Sequence, residues 1–245
     1  RELLLLANSG AKTVKLVDRT FNCNEKRAEE IFRFLIDNRG TAFPEDICFH
    51  FEVGADLFHE ETIALLNTAP AGLFQIEAGI QSFALQTLTA VSRKTDVERL
   101  EENLRQLIAP QNIHVHVDLI AGLPHEGLQS FGDSFNRAFA LLPHALQLGF
   151  LKLLHGSSLR DHAQELGLRF STFPPYEIIK NNALSYADII TLRCAEDALE
   201  RLYNSGRFRR TLYTVLEHSS ITPFDLFCSF GAYAHLNGAD TGVSL

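Results

Sequence analysis

At 245 residues the chain is long enough for one α/β domain, alone or with a small appendage, and with 46% hydrophobic and 21% charged residues it can build a large core and is not a disordered segment. A formal net charge of −8 at pH 7 disfavours nucleic acid as a partner. No apolar run reaches the roughly 18 residues a membrane span needs, and the Leu3 to Leu6 run is too short for a signal-peptide core, so the expected location is cytoplasmic.

In chain order, residues 1–8 read as the end of a helix stopped by Gly10. Residues 12–18 (KTVKLVD) form the first strand, and 25–38 an amphipathic helix ended by Gly40. The second strand is 47–55 (ICFHFEVGA), followed by a helix over 59–67; the third is 73–77 (LFQIE), followed by short helices over 85–91 and 96–108. The fourth is 113–120 with a helix over 128–141, and the fifth is 145–151 (ALQLGFL). Apolar strands alternating with helices of this length imply βαβ units and a parallel sheet. Five strands are too few to close an eight-stranded barrel. Beyond Gly156 the pattern turns irregular through FSTFPPYE, then gives two helices, 185–204 and 207–217, split at Ser205-Gly206. The tail over 219–245 has weak periodicity, and its Phe-rich start PFDLFCSF is expected to pack on the barrel. The domain reading is therefore a barrel region over 1–156 and a mainly helical extension over 157–245.

Polar residues recur where each strand ends: Asp18-Arg19 with Asn22, Glu52 with Asp56, Glu77 with Gln81-Ser82, Asp118, and Lys152 with His155. Ligands of parallel α/β folds bind at the carboxyl ends of strands. A lone strand-end Asp or Glu often caps the next helix, but one on every strand points to a site, because an inward polar group is costly unless paired. Plainer readings stay open for each: Glu52 as a surface or cap residue, Glu77 as a buried hydrogen-bonded carboxylate, Gln81-Ser82 as a helix cap, and Arg93-Lys94 as a solvated turn. His114 and His116 share one face of the fourth strand as satisfied strand histidines. RFRR at 207–210 is expected to be an exposed helix start. Cys23, Cys48, Cys194 and Cys228 are scattered with no CxxC pair, which argues against a disulfide scaffold and a self-contained zinc site.

Three stretches taken together, IEAGIQSF (76–83), VSRKTD (91–96) and DLIAGLPHE (118–126), resemble the radical S-adenosylmethionine enzymes, as in the branch containing oxygen-independent coproporphyrinogen oxidase. VKLVDRTFNCN and YNSGRFRRTL extend the resemblance over about 12–216, toward a group in which a cobalamin-binding domain precedes the radical domain. What the resemblance implies is a partial (βα)6 TIM-like barrel of parallel strands with a C-terminal helical extension, carrying S-adenosylmethionine across its strand ends. The cofactor-binding residues it implies are Glu52, Gln81, Ser82, Arg93 and Asp118, with Asp18 and Asn22 in the place of a Gly-rich stretch. It assigns no catalytic side chain. The residue types suit the ligand: Arg93 can clamp a methionyl carboxylate, and Asp118 can accept from a ribose diol.

The resemblance also implies a [4Fe–4S] cluster held by CxxxCxxC, a motif this sequence lacks. The chain begins with Arg1 in what reads as mid-helix, so it is read as a fragment whose cluster cysteines lie upstream of Arg1 and which is inactive alone; it also contains no Met, where about five would be usual. The implied partners are a small-molecule substrate and an electron donor such as flavodoxin or ferredoxin, with cobalamin in the intact protein opening methyl transfer or rearrangement. Two other classes compete: a barrel enzyme of ordinary acid–base type using Glu52, Glu77 and Asp118, and a non-catalytic module that keeps the adenosyl site.

Overall fold

The alternation of strands and helices is realised in full. The computed structural model describes residues 1–239, in which α1 (Glu2–Ala7) leads into β1 (Thr13–Leu16), α2 (Glu25–Asp37), β2 (Cys48–Val53), α3 (Glu60–Asn67) and β3 (Phe74–Gln81). Then come α4 (Leu85–Ala90), α5 (Val97–Ile108), β4 (His114–Ala121), α6 (Leu128–Phe139) and β5 (Ala145–Phe150). The five strands form one open parallel sheet in sequence order, with β1 and β5 at its edges. Register is in step where β1 meets β2 (Lys15 opposite His50) and where β2 meets β3 (Glu52 opposite Glu77).

Helix starts follow local chemistry. Asn24 and Asp96 accept the backbone N–H of Arg27 and Arg99 and so satisfy donors that α2 and α5 leave open. Ser185 and Asp188 form a reciprocal capping box on α8 (Tyr186–Leu199).

Two compact units are formed. One comprises Arg1–Gly79, Thr95–Val117 and Leu141–Ala145; the other comprises Ile80–Lys94, Asp118–Ala140 and the chain from Leu146 onward. The first has a phenylalanine core: the Phe32 ring lies 5.0 Å from Phe51 and 5.6 Å from Phe74, and Phe21 lies 4.6 Å from Phe51. Tilted and edge-on pairs of this kind add to the burial of the rings themselves. In β2 and β3 every second residue is buried, and the residues between them (Cys48, His50, Glu52; Gln75, Glu77, Gly79, Gln81) are only half-buried. Strands of parallel sheets usually read as continuous apolar runs because helices cover both faces; here one face is left polar.

The second unit continues past the sheet. A short helix α7 (Ser158–Asp161) and an antiparallel pair, β6 (Arg169–Phe170) with β7 (Ile178–Lys180), fill the stretch read as irregular. Helix α8 widens into a π turn over Glu200–Asn204 before α9 (Arg209–Glu217), and α10 (Pro223–Leu236) occupies most of the weakly periodic tail. Residues 240–245 of that tail lie outside the described residues.

The PFDLFCSF segment packs as expected: Phe224 and Phe227 are buried, with Phe227 5.7 Å from Phe135 and 5.8 Å from Phe139. Gly132 and Gly231 make this packing close, since a Cβ on Gly132 would strike the Phe224 ring and one on Gly231 would strike the Cys194 carbonyl. The Asn204 amide donates to the Leu146 carbonyl at 2.9 Å and accepts from the Leu146 N–H at 3.0 Å, mimicking a neighbouring strand along β5. Arg209 stacks over Tyr203 at 4.5 Å and donates to its carbonyl at 3.1 Å, so this member of RFRR serves packing.

Candidate functional site

In the first unit the polar face of the sheet gathers Lys15, His50, Glu52 and Glu77. The Lys15 ammonium lies 2.9 Å from Glu52 Oε1 and 3.3 Å from Glu77 Oε2, and that second oxygen is 2.9 Å from His50 Nε2. The hydrogen bond to Glu52, against the opposing effect of burial, raises the Lys15 pKa, with Glu77 adding to it. Burial pushes the Glu77 carboxyl up, but the Lys15 ammonium, His50 and His116 together hold it below the usual range. Each member is partly exposed, so such pairs contribute only about 0–1 kcal/mol apiece; their arrangement matters more than their stability. Glu52 is thus held by Lys15, a residue the strand-end pattern does not single out. Glu77, read as a strand-end residue, sits mid-strand because β3 runs on through Gly79 to Gln81.

Asn22 is buried, and its amide is committed to backbone: it donates to the Gly54 carbonyl at 2.8 Å and accepts from the Gly54 N–H at 2.9 Å. It ties the segment after β1 to the segment after β2. Asp18 is exposed and 3.6 Å from Arg27.

In the second unit Gln81, the last residue of β3, has φ +72°, a left-handed conformation that non-glycine residues rarely adopt, and its Oε1 is buried with no hydrogen-bond partner. Strain of this sort persists only where the surroundings fix it, and it clusters at functional positions. The next residue, Ser82, is fully buried and donates to Glu126 Oε1 at 2.6 Å while accepting from the Ala84 N–H at 2.9 Å. Ser134 on α6 donates to the same Glu126 oxygen at 3.3 Å and accepts from the Phe83 N–H at 3.1 Å. Glu126 is itself 1% exposed, and its Oε2 has no hydrogen-bond partner. Burial pushes this carboxyl up to about 7, outweighing the two hydroxyl donors.

Asp118 is half-buried on β4, and Arg93 is half-buried just after Ser92, a second left-handed residue. Glu126 shows in the sequence only as the final letter of DLIAGLPHE; nothing local marks it as buried.

The loop that carries Glu126 is held by the segment after β7. Asn181 donates to the Leu123 carbonyl at 2.7 Å and the Glu126 carbonyl at 3.3 Å. Gly122 (φ +89°) leaves room for Ile178, which would lie 2.6 Å from an added Cβ, and Gly127 leaves room for the Ala183 carbonyl at 2.8 Å.

For a metal cluster the fit is poor: among the described residues no three His, Cys, Asp or Glu side chains are grouped to hold a metal, and the four cysteines are separate free thiols.

The profile of a family described as protein of unknown function (DUF4080) matches residues 164–241. The oxygen-independent coproporphyrinogen-III oxidase-like protein HemZ of Bacillus subtilis is 30% identical over 104 residues, covering 42% of this chain and 20% of HemZ. The radical S-adenosylmethionine methyltransferase TsrM of Kitasatospora setae, solved with cobalamin and a [4Fe-4S] cluster, superposes with a TM-score of 0.59 at 18% identity over 71% of this chain and 34% of TsrM. Its complex with tryptophan and a SAM analogue gives 0.58 at the same identity. The chain thus spans a fifth of HemZ and a third of TsrM, and over 71% of its length it shares the fold of a radical S-adenosylmethionine enzyme.

Proposed function

We propose that this chain forms the S-adenosylmethionine-binding part of a radical enzyme acting on a small molecule in the cytoplasm. The observation that carries the reading is the end of β3, where a strained Gln81 keeps a buried amide oxygen without a partner beside a locked serine. An acceptor desolvated in this way costs free energy until a donor arrives, and a cofactor with an ammonium and ribose hydroxyls supplies donors.

In this reading Gln81 and Arg93 meet the methionyl and ribose portions, Ser82 fixes the turn beneath them, and Asp118 accepts from the ribose. In the first unit the candidates are Glu52, once released from Lys15, and Asp18, while Asn22 acts by holding its loop to Gly54. With a [4Fe–4S] cluster beside it, S-adenosylmethionine would supply radical chemistry. The cluster thiolates would come from protein outside these residues, electrons from a flavodoxin- or ferredoxin-type donor, and cobalamin from a neighbouring domain. The residues described here would orient the cofactor and exclude water.

The test is anaerobic reconstitution of the full-length protein, with S-adenosylmethionine affinity by calorimetry and 5′-deoxyadenosine release under dithionite. Binding together with release is expected, and Asp118→Ala should weaken affinity by about 1–3 kcal/mol. Neither binding nor 5′-deoxyadenosine would refute the proposal.

A further inference from the structure

Glu126 itself has no place in the chemistry above, yet its network is among the most buried polar arrangements described. Its connectivity is specific. The Ala84 N–H reaches Ser82 Oγ at 2.9 Å, and Ser82 Oγ–H reaches Glu126 Oε1 at 2.6 Å. From the other side the Phe83 N–H reaches Ser134 Oγ at 3.1 Å, and Ser134 Oγ–H reaches the same oxygen at 3.3 Å. Two successive backbone amides are therefore relayed through two hydroxyls onto one carboxyl oxygen. The amides belong to the two residues after Ser82, and Ser82 directly follows Gln81 with its φ of +72°.

A relay of this kind fixes orientation. Each serine hydroxyl has a single proton, which it gives to Glu126, so each must accept its backbone N–H. These bonds pin the three residues that follow Gln81 in a buried site, so a change in its φ is resisted from that side. Glu126 is in turn fixed by its own backbone, since Asn181 holds its carbonyl at 3.3 Å and that of Leu123 at 2.7 Å. The turn that follows the left-handed Gln81 is thus tied to a loop more than forty residues downstream.

We propose that Glu126 is a positioning residue: through Ser82 and Ser134 it holds Gln81 in the left-handed conformation in which its amide meets the ligand. The proposal rests on the reading that Gln81 contacts S-adenosylmethionine. Glu126 touches no reacting atom and acts only through the turn. The substitution Glu126→Gln keeps an accepting oxygen and fills the same volume, whereas Glu126→Ala removes the acceptor from both hydroxyls.

The experiment is a double-mutant cycle on the full-length reconstituted protein, read by S-adenosylmethionine affinity and by hydrogen exchange of the Phe83 and Ala84 amides. Glu126→Ala is expected to lower affinity at least about tenfold and to unprotect both amides, while Glu126→Gln stays within about threefold of wild type and keeps them protected. In a Gln81→Ala background, Glu126→Ala should add less than about twofold. If Glu126→Ala does not fold, Ser82→Ala takes its place in the same cycle. Undiminished affinity in Glu126→Ala, or effects that multiply in full with Gln81→Ala, would overturn the positioning role. Absence of S-adenosylmethionine binding by the wild-type protein would instead overturn the ligand assignment, and amide protection retained in Glu126→Ala would then overturn the relay by itself.

Discussion

Glu126 makes a quantitative claim about stability and pH. Its carboxyl titrates near 7 in the folded protein because burial disfavours the charged form, against a value of 4.5 for a solvated Glu. Below pH 4.5 both folded and unfolded chains carry the proton. Between 4.5 and about 7 the unfolded chain has ionised and the folded one has not, so unfolding releases a proton and stability falls as pH rises. Above about 7 both are ionised and the loss is complete. A gap of this size at about 1.4 kcal/mol per pKa unit gives a loss of roughly 3 kcal/mol across the window. With the side chain closed to solvent, screening takes little from that figure.

Glu77, held below its usual range, works with the opposite sign and at lower pH, so the comparison must isolate Glu126. Urea unfolding of wild type and Glu126→Gln, followed by far-UV circular dichroism from about pH 4.5 to 8.5, does this by difference. The wild-type advantage, relative to Glu126→Gln, should shrink by about 2–3 kcal/mol from the acid to the alkaline end, the largest change falling between about pH 5 and 7. A flat difference would refute the account, because it would mean that the folded protein already stabilises the carboxylate.

Three other substitutions follow from the same geometry. Gln81→Gly should raise stability by up to about 1 kcal/mol by relieving the positive φ, while S-adenosylmethionine affinity falls; a stabilised variant that binds normally would detach the strain from binding. Gly231→Ala should lower the unfolding free energy by about 1–3 kcal/mol, the usual cost of forced overpacking, and a chemical melt matching wild type would show that α8 and α10 separate readily. Asn22→Ala strands the Gly54 N–H and carbonyl and should cost about 1–3 kcal/mol; an unchanged melt would mean water replaces the amide.

Much of the architecture can be read from periodicity, because β1 to β5 and the helices between them each carry the apolar spacing their burial demands. The departures have physical causes. Gly79 interrupts the pattern just after Glu77, where the third strand reads as ending; its missing side chain lies on the polar face, so β3 continues to Gln81 and carries the strained residue with it. The β6–β7 pair is too short to show an alternation. Helix α10 has a weak stripe because residues on several sides are covered or aromatic, yet Thr222 accepting from the Asp225 N–H, with Pro223 at the first turn, is a helix start written in the sequence. Strand-end polarity singles out Glu52 in one unit and Gln81 and Asp118 in the other as candidates. It does not reveal that Lys15 already holds Glu52, or that Glu126 lies beneath the turn after Gln81, since both depend on which side chains tertiary packing brings within reach.

The two glycines of the GLPHEG loop have a consequence for engineering. Gly122 and Gly127 reserve space for Ile178 and for the Ala183 carbonyl, and Asn181 is bonded to the loop between them. Loop and overlying segment are therefore a matched lock and key within one chain. A chimera that imports either half alone inherits a collision or an empty slot, whereas residues 122–127 and 178–184 moved together form a portable cassette.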